Sequence, residues 1–272
     1  MIFSPNSTTG RQLDKAWMMD EKTKDRVLLK SANTMLLTEP IHEVLAYECA
    51  SILGLPATKY ENQIISDLKR PLLVSKCKTF ITPDTELIPA AQILLGKEGV
   101  GFEELVKVYL DFLEEALVSS AKEKIQKQLL SDALLDNTDR HLNNFGVIRN
   151  VSTLQIMDVA LNYDCGRILG TAFPYTPKRY TKEEFHIDEL GYAVTQKQFF
   201  SLIDKNIHLS RRQYQRLYSL PERYLSLVNK YLSCTSLHEG DGAYLAAVFM
   251  QNIQEIEAVL EENGCFQDTS FQ

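Results

Sequence analysis

The sequence predicts an α+β fold in two lobes: a small mixed lobe over residues 1–80, then a larger, mainly helical lobe over residues 81–272. Three observations predict it. Short apolar runs, Arg26-Val27-Leu28-Leu29-Lys30 and Pro71-Leu72-Leu73-Val74, read as strands on either side of a helical stretch. From about residue 85, apolar residues recur at helical spacing. The exception is residues 145–158, where two short apolar runs flank Arg149-Asn150-Val151-Ser152-Thr153 and read as a β-hairpin embedded in the helical lobe.

Taken in order, residues 1–25 are polar, with the small-residue stretch Ser7-Thr8-Thr9-Gly10. Thr38-Glu39-Pro40 opens a helix, since proline fits the first turn. The helix runs through residues 41–53 and is stopped by Gly54 and Pro56. The strand at Pro71–Val74 leads into the polar segment Ser75 to Thr79. The lobe boundary falls near residues 78–85, around Thr82-Pro83-Asp84. Beyond it, Phe102, Leu105, Val106, Tyr109, Leu110 and Leu113 mark one helix, and Ile125, Leu129, Ala133 and Leu134 another. Residues 196–267 read as three or four more helices, including Tyr244 to Glu262. No internal repeat or low-complexity tract interrupts the chain.

Composition narrows the class. Of 272 residues, 44% are hydrophobic and 24% charged, which suits a packed globular protein and excludes wholesale disorder. The net charge of −7 argues against direct nucleic-acid binding, which wants a basic stripe. Five cysteines, odd in number and with no CxxC pair, fit a reducing compartment and argue against a disulfide frame or a zinc knuckle. No apolar run is long enough to span a membrane, and residues 1–12 lack an apolar signal core. The expected location is the cytoplasm, with no membrane contact.

The densest polar cluster is Asp136-Asn137-Thr138-Asp139-Arg140-His141-Leu142-Asn143-Asn144, between a helix and the hairpin. Asp139 and Asn144 stand five apart, the D-x-x-x-x-N spacing of a protein-kinase catalytic loop. The chemistry explains the spacing. A carboxylate must meet the attacking hydroxyl while an amide reaches a metal ion on the nucleotide phosphates. The hairpin then returns the chain, so an acid just beyond its second strand lies near Asn144; Asp158 and Asp164 both qualify. Magnesium needs only one or two protein carboxylates beside phosphate and water oxygens. A kinase also wants a lysine on an early strand and a glutamate on the next helix, and Lys30 and Glu43 meet that order. Asp and Asn after a helix are also common capping and turn residues, and the bland reading of Asp139 and Asn144 stops there. His141 reads as a structural residue, Cys165 as a small packed side chain, and Trp17, Phe199, Phe200, Tyr214 and Tyr218 as helix packing.

The run NTDRHLNNFGVI (137–148) followed by NYDCG (162–166) resembles the HipA-like serine/threonine protein kinases of toxin–antitoxin systems. VLLKSAN (27–33), EVLAYECASILGLP (43–56) and LLVSKCKTF (72–80) fit the same family in order. The string Asp-Arg-His-x-x-Asn is also similar to the catalytic loop of phosphoinositide kinases. The resemblance implies a two-lobed protein-kinase-like fold with ATP and Mg2+ in the cleft. It makes Asp139 the catalytic base, and Asn144 and Asp164 the metal ligands, Asp164 being preferred over Asp158 by its Tyr-Asp-x-Gly context. It makes Lys30 the phosphate-contacting lysine, with Glu43 as its partner and Glu48 as rival. Backbone near Ser75 and Cys77 would meet adenine, and Ser7 to Gln12 would cover the phosphates, with Ser7, Thr8 and Thr9 as autophosphorylation candidates. The implied partners are a protein substrate phosphorylated on serine or threonine, and an antitoxin or a companion protein supplying the N-terminal subdomain of longer HipA chains. The sequence departs from kinase patterns in lacking G-x-G-x-x-G near its start and Ala-Pro-Glu after Asp164. The rival readings are a small-molecule or lipid kinase with the same loop, and a non-catalytic pseudokinase.

Overall fold

The computed structural model describes residues 15–66, 71–97, 100–137, 139–169, 207 and 209–267. Its first sheet has four antiparallel strands: β1 (Lys15–Met19), β2 (Arg26–Lys30), β3 (Tyr60–Ile65) and β4 (Leu72–Lys78). Their order is β1-β2-β4-β3. Lys30 faces Lys15 on one neighbour and Ser75 on the other, while Cys77 lies between Leu28 and Tyr60. Opposed residues of an antiparallel pair share a face. Lys30, Ser75, Cys77 and Tyr60 therefore look to one side of the sheet.

Helix α1 (Glu39–Leu53) covers that side, packing on β3 and β4. It has Pro40 in its first turn and ends at Gly54, whose φ of 67° suits a residue without a Cβ. α1 is apolar almost all round, as a helix enclosed by the core must be. Ile41, Leu45, Cys49, Ala50 and Leu53 are fully buried. A buried Leu or Ile contributes about 1.5–3 kcal/mol through apolar transfer, enough to hold the helix and its three buried polar residues, Glu39, His42 and Glu43.

The second sheet joins β5 (Thr85–Pro89), β6 (Gly146–Asn150) and β7 (Ile156–Val159), all antiparallel, in that order. The embedded hairpin is thus present, with a third strand beside it. Helical structure starts five residues later than expected from residue 85, after Pro89, with α2 (Ala90–Ile93). Then come α3 (Phe102–Glu115) and α4 (Ala121–Leu135). Leu105, Tyr109 and Leu113 of α3 and Leu129, Leu130, Ala133 and Leu134 of α4 enter the core. The C-terminal part adds β8 (Leu209–Ser210), α5 (Arg211–Gln215), α6 (Leu220–Tyr231), α7 (Asp241–Glu262) and β9 (Phe266–Gln267), with β8 and β9 paired in parallel. No described helix is long and apolar enough to cross a membrane.

Five strands went unread in the sequence: β1, β3, β5 and the two-residue β8 and β9. β4 also continues through Ser75 and Cys77, which had been expected in a polar connection. Trp17 lies in β1 under the Arg26 guanidinium, 4.4 Å from the ring centre, and not in a helix. Ser7–Gln12, Phe199 and Phe200 lie outside the described residues.

Gly146 opens β6 directly beside the β5 backbone. A Cβ there would run into the Ile88 carbonyl oxygen and lie 2.9 Å from Pro89 Cα, both main-chain atoms that cannot swing aside. Gly146→Ala is therefore expected to destabilise the protein by about 1–3 kcal/mol, the usual cost of overpacking. Urea unfolding monitored by circular dichroism measures it; an unchanged midpoint would contradict the close approach.

Candidate active site

The site grows from a buried arginine. Arg140 is 4% exposed, and its charge has to be matched inside the protein. Asp132, one turn before the end of α4, takes it in a two-pronged pair: Nε donates to Oδ2 and Nη2 to Oδ1, both at 2.8 Å. Nη1 donates to the Asn144 carbonyl at 2.7 Å and to the Tyr163 carbonyl at 3.2 Å. Nη2 also reaches Asn162 Oδ1 at 2.7 Å. One guanidinium thus ties α4, the loop 139–144 and the segment 162–165 together. Tyr163 adds a second tie, its hydroxyl donating to the Asn143 carbonyl at 2.7 Å.

These ties bring Asp139, Asn144 and Asp164 into one neighbourhood. The Asn144 amide nitrogen donates to the Asp139 carbonyl at 2.8 Å, which turns the amide oxygen the other way, available as a hard ligand. Asn144 is buried and Asp139 part-exposed. Burial pushes the Asp139 carboxyl above its ordinary range, opposed chiefly by Arg167, whose Nη1 stands 3.8 Å from Oδ1. His141 stays within the loop, where its Nδ1 accepts from the Asn143 N–H at 3.2 Å, a structural role.

From the first sheet comes Lys30. Its ammonium donates to Glu43 Oε1 on α1 and to Asp164 Oδ1 at 2.5 Å. Glu43 Oε2 in turn accepts the Cys165 N–H at 3.0 Å. Glu48, the rival partner, turns outward to Arg223, with contacts of 3.0–3.2 Å. Asp158, the rival acid, is in β7 and pairs with Lys124 at 2.6 Å. Burial would raise the Asp164 carboxyl, but the Lys30 charge, followed by Lys15, outweighs it and holds the group well below the usual carboxylate range. Burial alone would lower Lys30, and Asp164 and Glu43 reverse that, so it stays protonated. Asp164 itself sits at a φ of 55°, an uncommon conformation for a residue with a Cβ, and its N–H points to the Tyr60 hydroxyl at 3.4 Å.

Lys15, Arg140 with Asp132, and Arg167 were missed as site residues. Lys15 opposes Lys30 across the β1–β2 ladder and brings its Nζ within 3.7 Å of Asp164 Oδ2. Asp132 could have been suspected, because a carboxylate amid Leu129, Leu130, Ala133 and Leu134 needs a partner.

Ser75 and Cys77 require a correction. β4 is paired on both edges across these residues, so their backbone groups belong to the sheet and cannot face a base. Their side chains share the Lys30 face. The ladder ends at Lys78, and the chain leaves the sheet at Phe80, whose ring lies 5.5 Å from that of Tyr163.

All three of Cys49, Cys77 and Cys165 have thiols pushed up to about 12 by burial, which leaves them unreactive packing groups.

Two expectations test this architecture. Asp132→Ala leaves the Arg140 charge buried without its carboxylate and is expected to cost about 3–5 kcal/mol in chemical unfolding; a loss under about 1 kcal/mol would mean that Arg140 does not depend on it. The second concerns His42, wholly buried, with Nδ1 at 2.9 Å from the Gly166 carbonyl and Nε2 at 3.2 Å from the Tyr224 hydroxyl. Burial lowers its pKa from 6.5 to about 4. The unfolded imidazole takes up a proton below about 6.5 while the folded one resists to about 4, so stability falls as pH drops through that window. Between pH 7 and 5 the loss from this group is about 2 kcal/mol. A His42→Gln variant is expected to show a flatter pH profile of unfolding; a profile parallel to the wild type would remove His42 as the source.

No protein-family model matches this chain, and no curated protein sequence matches it. Among solved structures it is similar to the Helicobacter pylori proinflammatory kinase CtkA, with a TM-score of 0.58 at 16% identity, over 92% of this chain and 94% of that one. A chain from the Shewanella oneidensis MR-1 toxin–antitoxin complex of HipA, HipB and operator DNA aligns with a TM-score of 0.49 at 14% identity, over 95% of this chain and 65% of that one. The mixed architecture of small antiparallel sheets and packed helices described above is thus the fold of the kinase CtkA.

Proposed function

We propose that this protein is an ATP- and magnesium-dependent phosphotransferase that phosphorylates serine or threonine on a protein. The observation that carries the reading is that Arg140 ties the loop of Asp139 and Asn144 to the segment of Asp164, while Lys30 is bonded to Glu43 and Asp164. The similarity to CtkA, a kinase, supports the same reading.

The donor set suits the metal. Asn144 and Asp164 offer oxygen ligands, one neutral and one ionised, and magnesium prefers a few such ligands completed by phosphate and water. Asn144 and Asp164 would hold it, and bound magnesium supplies neutralisation of triphosphate charge. Lys30 and Lys15 would meet the phosphates from the sheet side. Asp139 would orient the acceptor hydroxyl and take its proton, with a carboxyl that burial has made more basic than usual. Positioning and charge carry most of such a reaction. Residues 1–80 would form the nucleotide-binding lobe and residues 81–272 the catalytic one. The adenine would lie against the connection that begins at Phe80.

Incubation with labelled ATP, magnesium and dephosphorylated cell protein tests the reading. Wild type is expected to label protein. Asp139→Asn is expected to lose at least about 100-fold in transfer while keeping the melting shift given by Mg-ATP. Equal transfer by the variant would remove Asp139 from the chemistry. Label on lipid or small metabolites alone would move the acceptor class.

A further inference from the structure

Within the phosphotransferase reading, on which this inference rests, the Asn144 amide oxygen has to be aimed, because magnesium demands near-octahedral oxygen ligands. A side chain takes its direction from the backbone on either side of its Cα. At Asn144 both flanking peptide groups are held. The one after it is held by its carbonyl, which accepts from Arg140 Nη1 at 2.7 Å. The one before it is held at both ends: the Asn144 N–H donates to the His141 carbonyl at 2.8 Å, and the Asn143 carbonyl accepts from the Tyr163 hydroxyl at 2.7 Å. The side-chain nitrogen is engaged by the Asp139 carbonyl at 2.8 Å. Asp139, Arg140 and His141 belong to the loop itself. Tyr163 comes from outside it, from the segment that carries Asp164.

Tyr163 is itself fixed before it reaches the loop. Its carbonyl accepts from Arg140 Nη1 at 3.2 Å, and the Asn162 side chain on one side of it accepts from Arg140 Nη2 at 2.7 Å. On the other side, Asp164 is bonded to Lys30 at 2.5 Å. The Tyr163 ring lies against that of Phe80, 5.5 Å between centres and tilted by 37°. Neither ring belongs to the apolar core, so the pair is not there to fill it. Burial pushes the phenol above its ordinary pKa, which keeps the hydroxyl protonated and a donor. The bond to Asn143 lies near the surface, where water competes for the carbonyl. A rigid tyrosine already in place meets that competition at little entropic cost.

We propose that Tyr163 is a positioning residue for the metal. Through the Asn143 carbonyl its hydroxyl fixes the peptide group before Asn144, and with it the direction of the Asn144 amide oxygen. Asp164, the other metal-ligating side chain, follows Tyr163 directly in the chain. One tyrosine therefore links the two ligands, by a covalent bond to one and by a hydrogen bond to the backbone of the other. That link sets their spacing. Removing the outer partner of a metal ligand costs roughly 10–100-fold in metal affinity or activity.

The test compares full-length wild type, Tyr163→Phe and Tyr163→Leu by two readouts. The first is binding of Mn2+, as probe of the metal site, in the presence of ADP, followed by water-proton relaxation; it needs no turnover. The second is ADP release from Mg-ATP, measured against magnesium and against ATP. Tyr163→Phe keeps the ring and loses only the hydroxyl. It is expected to weaken Mn2+ binding by at least about fivefold and to raise the magnesium needed for half-maximal rate by a similar factor. KM for ATP at saturating magnesium is expected to stay within about threefold of wild type. Tyr163→Leu, which also lacks the hydroxyl, is expected to show a metal defect at least as large. A Tyr163→Phe protein that binds Mn2+ less than about fivefold more weakly than wild type would overturn the proposal, even if its melting temperature has dropped. Should Tyr163→Phe fail to fold, Tyr163→Leu is judged by the same limit. A wild type that neither binds Mn2+ with ADP nor releases ADP from Mg-ATP would instead overturn the phosphotransferase reading beneath it.

Discussion

A guanidinium sealed from water has to be matched on every side, and that constraint organises the candidate site. Burying an ion costs several kcal/mol before its partners respond. Arg140 meets the cost with one carboxylate, two carbonyls and one amide oxygen, drawn from three separate parts of the chain. The partners cannot drift without exposing the charge to an apolar surround. The arrangement therefore fixes where the loop 139–144 ends and where the segment 162–165 runs, relative to α4. Functional groups positioned this way inherit the rigidity of helices, although they stand on loops.

Lys30 does for the other wall what Arg140 does for the floor. Its ammonium joins a strand of the first sheet to Glu43 on α1 and to Asp164 beyond the second sheet. Lys30, Glu43 and Asp164 together carry one net negative charge, and Lys15 at the rim offsets it. The protein thus holds a balanced charge cluster where the first sheet, α1 and the segment 162–165 meet. Such a cluster is costly to a fold that needs only packing, since apolar side chains of similar volume would serve stability as well. Its presence points to chemistry.

Much of this was legible in the sequence because it is local. The five-residue interval from Asp139 to Asn144 lies within one loop, and Lys30 and Glu43 stand at the end of one strand and the start of the next helix. The choice between Glu43 and Glu48 was not legible. Periodicity ranks faces only where a helix has a wet side, and α1 is enclosed, with Glu48 turned to Arg223 across a distant part of the chain. β3 and β5 were missed for a related reason. β3 alternates poorly, with one buried residue and three exposed among its six, and β5 is part-exposed throughout and ends in proline. Edge strands of that kind are held by their neighbours more than by their own pattern. The error at Ser75 and Cys77 has the opposite origin. Polar side chains suggested a connection, but both are buried in a strand enclosed on both edges.

The same loop explains why two adjacent residues have opposite fates. Neither glycine nor proline occurs between Asp139 and Asn144, so the turn is not held by special backbone freedom. It is held by bonds within itself: the His141 N–H donates to the Asp139 carbonyl at 2.9 Å, the Asn144 N–H to the His141 carbonyl at 2.8 Å, and the Asn144 amide to the Asp139 carbonyl at 2.8 Å. With the Asp139 carbonyl engaged twice and Arg140 drawn inward to Asp132, the Asp139 carboxylate is turned to the open side. An inward anchor next to an outward acid is the simplest way for a short loop to aim a carboxylate. A helix-capping pair has no need of such an anchor, whereas a proton acceptor that must meet an incoming hydroxyl does.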